Sequence, residues 1–302
     1  MKTIRAFVER HPVLTYYALT FAISWGGLLL VIGGPGGIPG TPEQFERLLP
    51  LAIPALIGGP VTAGLLLTGL VDGRAGYREL FSRLLRWRVG ARWWAVALLT
   101  APLVFAAVHL ALSLTSPVFI PGILEAGDKV AFLLSNLAGA LMVGILEELG
   151  WTGFATPRLL ARHGVLATGL IVGVLWGAWH LLPQDFWAGG ISSGGLPLAL
   201  FVTVNGFGFL LGQLPAYRVL MVWVYDRTDG SLLVAILMHA SLTACTFIFG
   251  PSPLAISGVA LLTYGLALAA AWWVVVAAVV IANGGHLSRR RARQIATWEV
   301  SR

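Results

Sequence analysis

The sequence predicts an all-α polytopic membrane protein: a bundle of eight transmembrane helices with one interfacial amphipathic helix on the cytoplasmic side. Three observations predict it. Of 302 residues, 57% are apolar types and only 11% are charged, roughly half the charged share of an average soluble domain. The apolar residues gather in charge-poor runs of about 18 residues or more, the length that crosses a hydrocarbon core of about 30 Å. The basic residues, in turn, crowd into alternate connections.

In chain order the candidate spans are 13–32, 49–71, 93–114, 130–154, 165–182, 197–214, 231–250 and 255–282. The first is too long for a signal-peptide core, and Val31-Ile32-Gly33-Gly34-Pro35 lacks a small-x-small cleavage signature, so it reads as an uncleaved anchor. Gly33 to Pro42 follows as a short outer loop. An even number of spans puts both termini on one side. Lys2, Arg5 and Arg10 precede the first span, Arg74, Arg78, Arg83, Arg86, Arg88 and Arg92 lie between the second and third, and Arg289, Arg290, Arg291 and Arg293 follow the last. Connections of the opposite parity hold only Arg47 and Lys129, which places both termini in the cytoplasm of a multi-pass cell-membrane protein.

The formal net charge of +7 therefore belongs to lipid-facing loops. Anionic lipids are the expected partner of those loops, and no nucleic acid is expected, because no aromatic-interleaved basic groove accompanies the charge. Within residues 75–92, Tyr77, Leu80, Phe81, Leu84 and Leu85 recur at helical spacing with Arg78, Arg83 and Arg86 between them. This is the amphipathic helix; it either recruits lipid or substrate, or is a snorkelling connector that sets the depth of the bundle. The chain reads as one integral membrane domain over 1–302, with a basic tail at 284–302. Its single cysteine, Cys245, leaves no disulfide framework and reads as a small apolar filler.

Charge at bilayer depth is costly, about 2.5 kcal/mol or more per group, so intramembrane ionisable residues mark function or a specific partner. The spans hold Glu147 and Glu148 in the fourth, His180 in the fifth, His239 in the seventh and His109 in the third. His109 reads as an interhelical hydrogen-bonder, and Asp185, just past the fifth span, as a solvated loop charge. At 1.5 Å per residue, Glu147 lies about 22 Å and His180 about 24 Å from the inner ends of their helices, so the two can meet at one level. His239, at about 13 Å, needs tilt or a dipping loop to join them.

Successive residues on a helix project about 100° apart, so Glu147 and Glu148 face different neighbours. Trp176 and His180 share a helix face, as do His239 and Thr243, each pair at i and i+4. Gly169, Gly173 and Gly177 form a ladder of small residues that lets another backbone approach. A carboxylate and two imidazoles from three helices, Glu147, His180 and His239, can hold a Zn²⁺ ion with a position open for water. They can equally use the glutamate as base without metal. From composition alone, a structural cluster, transport and hydrolysis all remain open.

At these residues the sequence resembles the CAAX-protease and bacteriocin-processing (CPBP, or Abi) family of intramembrane proteases, which includes the Ras-converting CAAX endopeptidase. The family pattern is EExxxR, then an aromatic followed by xxxH, then HxxxN or HxxxD. Here it stands as Glu147-Glu148-Leu149-Gly150-Trp151-Thr152, Trp176-Gly177-Ala178-Trp179-His180 and His239-Ala240-Ser241-Leu242-Thr243, within residues 130–250. Thr152 occupies the arginine position and Thr243 the asparagine or aspartate position, two departures that bear on catalytic competence.

The resemblance implies endoproteolysis of a membrane-embedded or membrane-anchored peptide or protein. Glu147 and His180 would activate water; His239 and Thr243 would stabilise the oxyanion or share a metal, with Glu148 the second acid of the motif. The alternative is a non-proteolytic scaffold, immunity or transporter-like protein that keeps the fold. Arg218 is a possible substitute for the missing arginine if the sixth helix runs on past Pro215; if Pro215 ends the helix, Arg218 is an ordinary loop residue. Gly190-Ile191-Ser192-Ser193-Gly194 matches a serine-nucleophile string but lies in a glycine-rich loop and reads as a turn.

Overall fold

The computed structural model describes residues 2–250 and 256–288, with the side chains of 2–4 and 209–211 outside the description. Arg289, Arg290, Arg291 and Arg293, and with them most of the expected basic tail, lie outside the described residues. All regular structure among the described residues is helical. Seven helical stretches are long and apolar enough to cross a membrane, so the chain is a multi-pass membrane protein.

After a short helix at Lys2–Arg10, the principal helices are α1 (Pro12–Val31), α2 (Pro42–Leu67), α3 (Gly73–Leu84), α4 (Ala91–Ser113), α5 (Lys129–Gly150), α6 (Val165–His180), α7 (Leu198–Phe207), α8 (Leu214–Arg227), α9 (Leu232–Phe249) and α10 (Gly258–Ala282). Side-chain caps start several of them, as backbone donors left unpaired at a helix start require. Thr41 and Gln44 form a reciprocal capping box on α2, and Asp128 accepts from the backbone of Val130 and Ala131 on α5.

The expected sixth span, 197–214, does not form one long helix. It yields the ten-residue α7, an apolar helix that passes through a π-helical segment, 208–213, into α8. Pro215 sits two residues after the π-helical segment, within the continuous helical run. It therefore does not end the helix, and Arg218 lies inside α8, fully buried.

Further π-helical segments follow α2 (Thr68–Asp72), α5 (Trp151–Ala155) and α6 (Leu181–Trp187). Such wide turns inside helices recur at functional sites. The amphipathic helix is shorter than expected, ending at Leu84, and its faces differ from the expectation. Gly76, Leu80 and Arg83 turn inward, while Phe81, Leu85 and Trp87 are exposed beside Arg74, Arg78 and Arg88. Arg83 points inward because its hydrogen-bond partners lie in the bundle.

Two glycines set the spacing around the site. A Cβ on Gly144 of α5 would lie 2.9 Å from the Ile236 carbonyl of α9, and one on Gly173 of α6 would lie 3.1 Å from Cβ of Arg218 on α8. At both places only a hydrogen fits, and the small-residue face of α6 packs directly on α8.

Candidate active site

The two glutamates occupy the last turn of α5, just before the π-helical segment 151–155. Both are buried, Glu147 at 3% exposure and Glu148 at 0%. Glu147 Oε2 accepts hydrogen bonds from the indole N–H of Trp151 at 3.1 Å and of Trp176 at 2.9 Å. Its Oε1 takes no hydrogen bond from any described protein group. Glu148 faces elsewhere, as the 100° offset requires. It accepts from Arg218 Nη1 at 2.9 Å to each oxygen, from His239 Nδ1 at 2.7 Å, and from the Thr152 hydroxyl. His239 lies between the two acids, its Nε2 3.9 Å from Glu147 Oε2.

Trp176 is the centre of this arrangement. Besides its bond to Glu147, its ring lies 4.2 Å from the Arg218 guanidinium carbon, 4.9 Å from the His239 ring centroid and 5.7 Å from that of His180. The cation–π contact helps hold a guanidinium whose Nε and Nη2 have no hydrogen-bond partner in the interior. His180, one turn beyond Trp176, is partly exposed and donates from Nδ1 to the Trp176 carbonyl at 2.8 Å. Because a carbonyl only accepts, the neutral ring must carry its proton on Nδ1, leaving Nε2 a lone pair.

Of the residues the sequence points to, the structure brings Glu147, Glu148 and His239 into direct contact and seats His180 against the same tryptophan. Close packing at Gly144, one turn before Glu147, brings α9 near enough for His239 to reach Glu148, despite the depth mismatch the sequence suggests. Thr243 is half-buried one turn past His239, and its hydroxyl is not part of the hydrogen-bonded cluster.

The Zn²⁺ expectation finds no ready donor set. No group of three or more His, Cys, Asp or Glu side chains among the described residues is arranged to hold a metal ion. As arranged here, Glu147, His180 and His239 do not converge on a common point that would hold an ion.

Other expectations resolve individually. His109 is buried, with Nδ1 2.7 Å from the Phe119 carbonyl and Nε2 2.9 Å from the Tyr264 hydroxyl, a satisfied link between α4 and α10. Asp185 is not a solvated charge. The π-helical continuation of α6 carries it into the interior at 0% exposure, where Oδ1 accepts from Asn205 at 2.6 Å. Ser192 ends a four-residue helical turn that leads into left-handed Gly194 and Gly195, with no strand-to-helix elbow.

Sequence reasoning assigned no donor role to the indoles of Trp151 and Trp176, although it placed Trp176 on the His180 face. Their signal was present as i+4 spacing from Glu147 and i−4 spacing from His180, but a tryptophan in an apolar helix reads first as packing.

Residues 129–245 match the model of the type II CAAX prenyl endopeptidase Rce1-like family. This core is similar to the Rce1-like family. A curated relative, CAAX prenyl protease 2 of Methanococcus maripaludis, is 27% identical over 99 residues, 33% of this chain and 35% of that protein. The chain thus matches about a third of the relative's length. The matched segment runs from the start of α5 to Cys245 in α9 and contains the residues that hydrogen-bond Glu147 and Glu148.

Proposed function

We propose that the protein is an intramembrane endopeptidase with Glu147 as general base. The observation that carries this reading is the asymmetric hydrogen bonding of Glu147. Two indole donors fix Oε2 and the plane of the carboxylate, while Oε1 remains for a water molecule. In the reaction, water attacks the scissile carbonyl carbon as Glu147 takes its proton. The tetrahedral intermediate then expels the amine nitrogen, to which Glu147 returns the proton.

His180, seated against the same Trp176 ring, is the second residue assigned to that water. His239 Nε2 lies 3.9 Å from Glu147 Oε2 and its ring is oriented by the Nδ1–Glu148 bond, so as an imidazolium, with a proton on each nitrogen, it is the group disposed to meet the developing oxyanion. Glu148 and Arg218 hold that imidazole and do not touch substrate.

The family supports a membrane-associated peptide as substrate, and the relative's name makes a prenylated C-terminal peptide the first to test. The basic face of α3 and its flanks suits anionic headgroups, and the distribution of arginines supports cytoplasmic termini.

The test is cleavage of a fluorogenic farnesylated peptide set by purified protein in nanodiscs, beside Glu147→Gln. Cleavage by the wild type and its loss in Glu147→Gln support the reading. Equal product from both would sink it.

A further inference from the structure

We propose that Arg83, on the interfacial helix α3, is a positioning residue for the glutamate pair. It acts by tying the π-helical segment 151–155 to α8. The inference rests on the reading of Glu147 and Glu148 as catalytic machinery.

Arg83 is only 9% exposed although it belongs to the amphipathic helix. Its Nη1 donates to the Tyr225 hydroxyl of α8 at 2.9 Å, and its Nη2 to the Gly153 carbonyl at 2.9 Å. Gly153 is the middle residue of the π-helical segment and directly follows Trp151 and Thr152. Those two side chains donate to Glu147 and Glu148 respectively. Tyr225 lies seven residues, two helical turns, after Arg218 on the same face of α8. A single guanidinium therefore joins two of the three elements that supply donors to Glu148, the third being α9 with His239.

A second cation completes the clamp. Arg158 Nη1 donates to the next carbonyl, that of Phe154, at 2.8 Å, and its guanidinium carbon lies 3.7 Å from the Phe154 ring centroid. Arg158 also pairs with Asp72, immediately before α3. Two successive carbonyls of the segment are thus held by guanidinium groups, one carried by α3 and one anchored where α3 begins. Leu80 of α3 also packs against the segment, its Cδ1 2.9 Å from where a Cβ on Gly153 would stand.

Hydrogen bonds from a charged donor are about twice as strong as neutral ones, and a π turn leaves backbone carbonyls poorly matched to its own N–H groups. Loss of Arg83 should let the segment relax, moving the Trp151 and Thr152 donors relative to the acids. Displacements of about 1 Å in such groups can cost about a hundredfold in rate.

The experiment uses the full chain in nanodiscs with Arg83→Gln, Arg83→Lys and Tyr225→Phe, and Ser82→Ala on the exposed face as control. Three quantities are read: kcat and KM on a cleaved peptide, the unfolding temperature, and the ¹⁹F resonance of 5-fluorotryptophan at Trp151, assigned through Trp151→Phe.

Arg83→Gln is expected to lower kcat about tenfold or more with KM within about twofold, and to shift the Trp151 resonance. Arg83→Lys should recover part of both, since an ammonium can still donate to the Gly153 carbonyl, and Ser82→Ala should move neither. If Arg83→Gln fails to fold, the same comparison is read from Arg83→Lys and Tyr225→Phe. A lowered unfolding temperature with kcat and the Trp151 resonance unchanged would make Arg83 a structural residue only and overturn the proposal. Should the wild type cleave nothing, the proteolytic reading fails. The fluorine resonance still decides the tether: moved, it stands; unmoved, it falls.

Discussion

Arg218 reaches both oxygens of Glu148 through a single nitrogen, Nη1, at 2.9 Å to each, with both side chains at 0% exposure. The pair joins α8 to the end of α5 in a region without solvent. Attraction between buried charges offsets a large desolvation cost only while both partners are present. Arg218→Ala is therefore expected to destabilise the fold by about 3–5 kcal/mol. Glu148→Gln in the same chain should restore part of that loss, because it removes the stranded charge. Reversible unfolding of the two single variants and the double variant measures the coupling; additive losses would show that the pair is not an energetic unit.

Glu147→Gln keeps the side-chain shape and an oxygen that can accept from Trp151 and Trp176, but it removes the base. Cleavage should fall by about 10²–10⁴-fold with little change in unfolding temperature. A steady-state assay paired with a melting curve separates this from misfolding.

Trp176→Phe retains most of the ring over Arg218 and deletes the N–H that holds Glu147 Oε2. Leaving a buried carboxylate short of one donor costs about 1–3 kcal/mol, and kcat is expected to drop about tenfold as the carboxylate plane loosens. Trp176→Ala should also lose the cation–π contact and be the less stable of the two. Unfolding and kinetics of the two variants, compared side by side, separate the N–H from the ring.

Gly144→Ala sets a methyl against the Ile236 carbonyl, a backbone atom that cannot rotate away. Forcing α5 and α9 apart should cost about 1–3 kcal/mol and lengthen the His239–Glu148 contact. Activity should fall further than stability alone explains, which a comparison of kcat well below the melting transition would reveal.

Chelation offers an independent check on the chemistry. With no three His, Cys, Asp or Glu side chains among the described residues arranged to hold an ion, peptide cleavage should survive 1,10-phenanthroline, and metal in the purified protein should be substoichiometric. Loss of cleavage that added zinc restores would replace the metal-free scheme.

Much of the membrane architecture was legible because hydropathy and length report directly on the bilayer. Every backbone group in hydrocarbon must be paired within its own helix, so apolar runs of sufficient length become helices. The site was partly legible for a related reason: Glu147, Glu148, His180 and His239 are ionisable groups where ionisable groups are expensive. What misled the reading was local geometry. Span 197–214 breaks into a short helix and a π segment ahead of Pro215, Asp185 is drawn inward by a π turn, and Arg83 leaves the lipid face for partners on two other elements. A single extra residue in a helical turn rotates everything after it by about 100°, and no periodicity in the sequence announces it.

By itself, the sequence determined that this chain crosses a membrane as apolar helices and carries a few acids and imidazoles at depth, because those facts follow from the transfer cost of each residue. Only the tertiary structure decided which of those groups meet. It gave Glu148 the cation Arg218, gave Glu147 two indole donors, and placed His239 between the acids. Pairing depends on how closely helices approach and how far each is rotated, and both are set by glycine contacts and π turns acting between segments distant in the chain.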